Sequence, residues 1–120
     1  MWKAGMLGEI RSMNIEKELH YLKEIAGEYA AQKAHAEYLK EFRKSKKAML
    51  INEAAKQGLK TAQERESYAY SHEEYLSVLD GLKVATEESE RLRIMVKTCE
   101  LQIDSKKTNE MRAMAEMKLR

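Results

Sequence analysis

The sequence predicts an all-α protein, a long antiparallel helical hairpin of coiled-coil character with a short connecting helix. Three observations support this fold class. The 120 residues include no proline, so no residue lacks the backbone N–H that a helix interior needs. Charged residues make up 35% of the chain and the mean hydropathy is −0.69, which suits helices that bury one stripe and expose the rest. Apolar residues also recur every seven positions, as they do in a helix that packs on another helix.

The first thirteen residues are the least regular part of the chain. Gly5 and Gly8 fall among them, and each glycine costs about 1 kcal/mol in a helix interior. Asn14 then provides an N-cap before two glutamates that the helix dipole favours. We therefore predict a mobile arm over residues 1–13 and a single helical domain over residues 14–120.

A first long helix is predicted over residues 15–57. Gly58 ends it, because glycine adopts the left-handed conformation that follows many helices. Thr61 and Glu64 then form a capping-box pattern that begins a short helix over residues 62–70. The buried stripe of the long helix is predicted to include Leu22, Ile25, Tyr29, Ala36, Leu39, Phe42 and Met49.

A second long helix is predicted over residues 72–117, with Ser71 and Glu74 as its capping box. This helix carries the clearest heptad pattern in the chain, broken only at Ser89. Two interleaved rows of this kind form the seam of a helix that needs a partner helix. The seam is predicted to contain Tyr75, Val78, Leu82, Ala85, Leu92, Val96, Cys99 and Ile103.

Charge placement predicts a register for the hairpin. If Lys56 lies level with Glu74, oppositely charged zones face each other along the two long helices. This register brings the basic run at 40–47 beside the glutamates at 87–90, and it pairs Glu24 with Lys106 and Glu18 with Arg112. Such exposed pairs each contribute only a few tenths of a kcal/mol, about the size of a typical surface ion pair.

Several apolar residues fall outside or beside the seam, which predicts a second packing face and a homodimeric helical bundle. These residues are Leu76, Leu79, Ile94, Met95 and Leu101. Glycines at 27 and 81 interrupt the long helices, where close approach of another helix would explain them. Near the end of the chain Met111, Met114 and Met117 recur every three residues, and methionine is common on adaptable protein-binding surfaces. We regard this methionine row as a candidate contact for a protein partner, with ordinary packing as the alternative.

No motif for catalysis, a cofactor or a metal is present, so we predict a protein that is not an enzyme. The three histidines have no spacing typical of metal ligands, and no glycine-rich phosphate loop occurs. The single cysteine, Cys99, excludes an internal disulfide and occupies a seam position. No stretch is long and apolar enough to span a bilayer, which predicts a cytoplasmic protein with no membrane contact.

Basic residues are the one candidate for a binding function. The segment KEFRKSKK at 40–47 places Phe42 among five cations. Cations release counterions from phosphates, and aromatic rings stack on unpaired bases. The alternative is that acidic residues across the hairpin already neutralise the cluster. The candidate residues for nonspecific nucleic-acid or other polyanion contact are Lys40, Arg43, Lys44, Lys46 and Lys47.

The segment TAQERESYAYSHEEYLSVLDGLKVATEESERLRIMVKTCELQIDSKKTNEMRAMAEMKLR adds a further indication. Its T-x-x-E connector, aromatic and acidic restart and long charged helix resemble small all-helical proteins of phages and prophages, over about residues 20–120. Genes for such proteins often lie near single-strand annealing recombination genes. The resemblance implies no catalytic residues and a setting in phage DNA metabolism, or in interference with the host, inside a bacterial cell.

Taken together, these observations predict a non-catalytic phage-type accessory protein. It would assist DNA recombination or single-stranded DNA metabolism through a partner protein or weak nonspecific DNA contact. Two alternatives remain open. One is an inhibitor that blocks a host defence protein by steric or electrostatic means. The other is a purely structural coiled-coil dimer.

Overall fold

The computed structural model describes the backbone of residues 4–119 and the side chains of residues 15–119. Three helices account for almost all of this part of the chain: α1 (Ala4–Lys56), α2 (Ala62–Ser71) and α3 (Glu73–Lys118). No strand occurs among the described residues. Two long helices joined by a short one form a helical hairpin, which confirms the predicted fold class.

The start of α1 differs from the prediction. The helix begins at Ala4 and continues through Asn14, so the predicted N-cap at Asn14 and the predicted helix start at residue 15 are wrong. Glycines at positions 5 and 8 lower helix propensity by about 1 kcal/mol each, which weakens a helix without ending it. Residues 1–3 and the side chains of residues 4–14 lie outside the described part, and so does the predicted mobility of the arm.

The end of α1 confirms the predicted role of Gly58. This residue has φ of +96°, a backbone conformation that favours glycine. The Gly58 N–H donates to the Ala55 carbonyl at 3.2 Å, and the Leu59 N–H donates to the Ala54 carbonyl at 3.1 Å. This pair of hydrogen bonds is a Schellman motif, which satisfies carbonyls that the helix would otherwise leave without partners.

The predicted cap at the start of α2 is also present. The Glu64 N–H donates to Thr61 Oγ1 at 3.1 Å, as a capping box requires. The Glu64 carboxylate accepts from the Lys60 N–H at 3.3 Å, one residue before the position that the motif predicts. Both groups stabilise the turn that separates α2 from α1.

The junction between α2 and α3 has a different cap from the predicted one. Ser71 is the last residue of α2, and its hydroxyl donates back to the Ser67 carbonyl at 2.7 Å. His72 caps α3 instead: its Nδ1 accepts from the Glu74 N–H at 3.1 Å, and its carbonyl accepts from the Leu76 N–H at 3.0 Å. The imidazole nitrogen thus takes the place of the hydroxyl or carboxylate oxygen that usually caps a helix.

Replacing His72 with Ala is expected to lower the free energy of unfolding by about 1 kcal/mol, the typical cost of a lost N-cap. Asn at this position restores a capping oxygen, so His72→Asn is expected to recover most of the loss. Chemical denaturation measures both changes. Ser71→Ala is the matched control, and an equal loss in that variant would show that the serine is the cap.

Contacts divide the chain into two compact units, and the first of these is Ala30–Glu90. Its core joins all three helices through Leu50 on α1, Ala69 on α2 and Tyr75 on α3, with Ile51 and Leu79 packed against them. The predicted seam residues Tyr75 and Ala85 are buried, and Ser89, where the heptad pattern breaks, is buried as well.

The prediction that Met49 lies in the core of this unit is wrong. Met49 is 57% exposed, whereas its neighbour Leu50 is 1% exposed. The heptad row of Leu22, Tyr29 and Ala36 continues through Arg43 to Leu50 without the drift that would place Met49 inside. Arg43 interrupts the apolar residues of this row, so the sequence pattern does not show that the row continues to Leu50.

The second unit consists of Met1–Tyr29 and Arg91–Arg120. Here Ile25 of α1 packs against Cys99 and Ile103 of α3, with Leu22, Met95 and Val96 around them. Leu92, Cys99 and Ile103 are buried, as the heptad pattern predicts. Burial, followed by the charges of Glu18 and Glu100, raises the pKa of the Cys99 thiol above its ordinary value.

The helices are antiparallel in both units, but the predicted register is wrong. In the Ala30–Glu90 unit Lys46, not Lys56, lies beside Glu74, with Nζ and Oε2 2.6 Å apart. The reason is that α2 packs on the last turns of α1 at Leu50, so that α3 begins further back along α1.

The predicted register is also wrong in the other unit. Lys106 forms an ion pair with Glu18, so the predicted pairing of Glu18 with Arg112 is wrong. The predicted partner of Lys106, Glu24, instead lies 3.1 Å from His20 Nε2 on its own helix.

Candidate polyanion-binding surface

The five basic residues predicted to contact a polyanion all lie on α1, within the Ala30–Glu90 unit. Their helical spacing divides them into two sets. Lys40, Arg43, Lys44 and Lys47 follow an i, i+3, i+4, i+7 pattern, so they share one face of the helix and are here called the basic row. Lys46 lies on a different side, where α3 packs.

Lys46 already has an ion-pair partner within the hairpin. Its side chain is only 17% exposed, and its ammonium donates to Glu74 Oε2 at 2.6 Å. The hydrogen bond, and after it the positive charge of Lys46, lowers the pKa of the Glu74 carboxyl below its ordinary value. Lys46 therefore joins α1 to the first turn of α3. For this residue the alternative reading holds, because an acidic residue across the hairpin already neutralises its charge.

The Lys46–Glu74 pair predicts a loss of stability in acid. A carboxyl with a lowered pKa in the folded state stabilises the fold above its unfolded pKa, and this contribution disappears as the pH falls through the folded pKa. We expect Glu74→Gln to unfold at a lower temperature than the wild type at pH 7, and we expect this gap to narrow as the pH is lowered through the folded pKa of Glu74. Thermal unfolding over a pH series from 7 downward measures the gap; a gap that stays constant until the wild type unfolds in acid would contradict the assignment.

Lys47 joins the basic row to an aromatic ring that the sequence analysis did not identify. Its Nζ donates to the Tyr70 hydroxyl at 2.5 Å and lies 4.6 Å from the centre of the Tyr70 ring. The hydrogen bond to Tyr70 is the main cause of the raised pKa of Lys47. Tyr70 is 46% exposed, and its ring contacts Tyr75 edge to face at 5.4 Å. An exposed ring therefore lies at one end of the basic row.

Phe42, the aromatic residue that the sequence places among the cations, lies on the other side of α1. Phe42 is two positions after Lys40, which places the two side chains nearly opposite each other around the helix. Its ring stacks on Tyr38 instead, with 5.9 Å between ring centres and 13° between ring planes. The tyrosine at the end of α2, not Phe42, is thus the aromatic residue near the cations.

The other members of the basic row have few partners. Lys44 Nζ lies 3.4 Å from Glu41 Oε1 on the same helix, and both side chains are more than half exposed. Lys40 borders a shallow groove of about 170 Å³, with Glu37 and Glu90 on its rim. Neither Lys40 nor Arg43 forms a hydrogen bond or an ion pair with any other described residue.

The predicted methionine row lies on α3, in the unit that contains the end of the chain. Met111, Met114 and Met117 are 71%, 60% and 75% exposed. Among the described residues from 104 to 119, Lys106 alone is partly buried. This end of α3 therefore presents three flexible apolar side chains at its surface.

The described residues contain neither a metal site nor a membrane-spanning helix. Within residues 15–119, no three His, Cys, Asp or Glu side chains lie close enough together to hold a metal ion. None of the described helices is both long enough and apolar enough to cross a membrane.

Protein-family models, curated proteins and solved structures were compared with this chain, and none of them matches. What the structure itself defines is a helical hairpin with a basic row on one face of α1.

Proposed function

We propose that this chain is a non-catalytic interaction protein that contacts single-stranded nucleic acid through the basic row. The observation that carries the proposal is that the cations of the basic row have few partners within the protein. Lys40 and Arg43 form no ion pair with the described residues, and Lys44 has only a weak exposed partner on its own helix. Cations in this condition are available to phosphates, unlike Lys46, which Glu74 already neutralises.

The geometry fits weak contact without sequence preference. The row extends about 10.5 Å along α1, at 1.5 Å per residue, and is long enough for only a few phosphates. Phosphate contacts of this kind supply affinity but read no bases. Tyr70 adds an exposed ring beside Lys47, and stacking of an unpaired base on such a ring tolerates any sequence. An unpaired strand offers both phosphates and free bases, which is why it fits better than a duplex.

The biological setting is part of the same proposal. Resemblance to small helical phage proteins supports an accessory role in DNA recombination, in the cytoplasm of a bacterial host. A recombination protein or a host defence protein would then be the protein partner. The nucleic-acid contact remains weak in either case, because four cations form the whole row.

Fluorescence anisotropy with a labelled oligonucleotide tests the proposed contact. A triple variant, Lys40→Glu, Arg43→Glu and Lys44→Glu, is expected to weaken binding about tenfold or more. Three charged contacts of about 0.5 kcal/mol each already sum to about the 1.4 kcal/mol of a tenfold change, and the new carboxylates also repel phosphates. Its matched control is Lys23→Glu, Lys60→Glu and Lys83→Glu, which makes the same change in net charge at scattered exposed positions. Equal losses in the two variants would show that only net charge matters and would overturn the site.

A second candidate function is protein binding through the methionine row. The observation that favours it is the exposure of all three methionines at the end of α3. Replacing Met111, Met114 and Met117 with Ser is expected to leave thermal unfolding unchanged and to abolish capture of a bacterial partner protein. Unchanged capture would contradict this role. A defence enzyme among captured proteins would favour inhibition of the host, and a recombination protein would favour the accessory role.

A further inference from the structure

A second row of apolar side chains lies on α1, outside the core. Tyr38 is 62% exposed, Phe42 is half-buried, and Met49 is 57% exposed. Their spacing of four and then seven residues places them on one side of the helix, as in the seam of a helix pair. The core of this unit runs through Leu50, so the two exposed members of the row, Tyr38 and Met49, lie outside it.

A groove lies on the same side of the Ala30–Glu90 unit. It measures about 470 Å³ and is lined by Gln32, His35, Asp80, Gly81, Val84 and Ala85. His35 lies three residues before Tyr38 and seven before Phe42, so the groove and the two aromatic rings share one face. Val84, on the α3 side, is 64% exposed. An apolar projection therefore lies next to a recess.

The groove has a glycine at its floor that the helix pair does not require. A Cβ atom on Gly81 would meet only Leu39 Cδ1, at 3.7 Å, which is an ordinary van der Waals contact. Glycine in a helix interior costs about 1 kcal/mol relative to Ala. The packing of α1 on α3 gives no reason for this cost, whereas a side chain that enters the groove from another molecule would give one.

We infer that this face binds a second copy of the same chain, with Tyr38 of each copy inserted into the groove of the other. A two-fold interface requires a surface that is complementary to itself. The projecting ring and the recess satisfy this condition, because His35 and Tyr38 are one helical turn apart, about 4.5 Å along α1. The sequence predicts a homodimer, and the structure identifies the face.

The polar groups of this face can also pair with those of a second copy. The Tyr38 hydroxyl, the His35 ring and the Asp80 carboxylate form no hydrogen bond or ion pair with any other described residue. A buried tyrosine hydroxyl needs an acceptor. The Asp80 carboxylate at the rim of the groove is such an acceptor for the hydroxyl of the other copy.

The size of the face suits a small dimer. From Ala31 to Met49, α1 offers a strip about 27 Å long, and α3 beside it brings the width to about 20 Å. The two copies together would bury on the order of 1,000 Å², near the lower limit for a specific interface. Two helices from each copy would meet as a four-helix arrangement. The basic row stays outside it, so this inference does not depend on the nucleic-acid contact.

Sedimentation velocity of the full chain over a range of concentrations tests the inference. The wild type is expected to dimerise, and Tyr38→Ala and Val84→Arg are each expected to weaken the dimer at least about tenfold, as substitutions at the centre of an interface do. Leu101→Arg is the control, because Leu101 is 61% exposed but belongs to the other unit. Helical content of each variant is checked by circular dichroism.

Two outcomes would overturn the inference. One is a wild type that stays monomeric up to about 1 mM, a concentration at which even a weak specific interface of this size is expected to be occupied. The other is a dimer that persists in both face variants, or that is lost in Leu101→Arg alone, which would place the contact elsewhere on the chain.

Discussion

Replacing Leu50 with Ala is expected to lower the free energy of unfolding by about 2–5 kcal/mol, the usual range for a buried leucine in a well-packed core. Leu50 is 1% exposed and lies where all three helices meet, between Ala69 and Tyr75. The loss combines the transfer of the removed methyl groups with the cavity left behind. Neighbouring helices cannot close this cavity easily, because α2 is fixed at both ends by caps.

Leu101→Ala is the matched control for this prediction, because it removes the same atoms from a side chain that is 61% exposed. We expect it to change the free energy of unfolding by about 0.5 kcal/mol or less. Urea denaturation, monitored by circular dichroism, measures both variants. Similar effects in the two variants would mean that the three helices do not meet at Leu50.

Replacing Lys106 with Ala is expected to lower the free energy of unfolding by about 2 kcal/mol. Lys106 forms an ion pair with Glu18, and the two side chains are 29% and 23% exposed. The ion pair uses Glu18 Oε1, whereas Glu18 Oε2 is buried and has no hydrogen-bond partner among the described residues. Removing the lysine leaves a largely buried carboxylate uncompensated, which costs more than the pair itself contributes.

A double-mutant cycle separates these two effects. Glu18→Gln in the Lys106→Ala background removes the unpaired charge, so the double variant is expected to be more stable than Lys106→Ala alone. Lys97→Ala, at an exposed position of the same helix, is the control and is expected to have little effect. Simple addition of the two single losses would contradict the pairing of Glu18 with Lys106.

The heptad pattern predicted the seam of α3 correctly, because every apolar residue in it repeats in a strict seven-residue period. The same rule failed at the far end of α1, where Arg43 and Lys46 occupy the heptad positions before Leu50. Long basic side chains place their aliphatic stems along a seam and their charges at its edge. Because Arg43 and Lys46 are basic, the sequence pattern predicted a buried stripe at Phe42 and Met49 instead.

The register could not be predicted from charge alone. Exposed ion pairs contribute too little to select one register, and several registers bring some opposite charges together. The packing of α2 on Leu50 and Tyr75 sets it instead. This packing depends on the path of a short connector, which periodicity does not reveal.

The candidate site was predictable in its cations but not in their environment. Sequence spacing alone places Lys40, Arg43, Lys44 and Lys47 on one face of α1. Contacts between helices, however, decide that Glu74 neutralises Lys46 and that Tyr70 joins Lys47. Tyr70 carried no signal in the sequence, because its position beside the row depends on how α2 folds back on α1.

The salt dependence of single-strand binding tests the proposed function most directly. Anisotropy measured from low to physiological salt is expected to give a slope of log K against log salt of about −2 to −3, since single strands lose about 0.7 per phosphate contacted and the row has four cations. Duplex DNA of the same length is expected to bind more weakly, because its bases cannot stack on Tyr70. No binding at low salt, or a slope near zero, would contradict the account and would leave the methionine row as the remaining candidate for function.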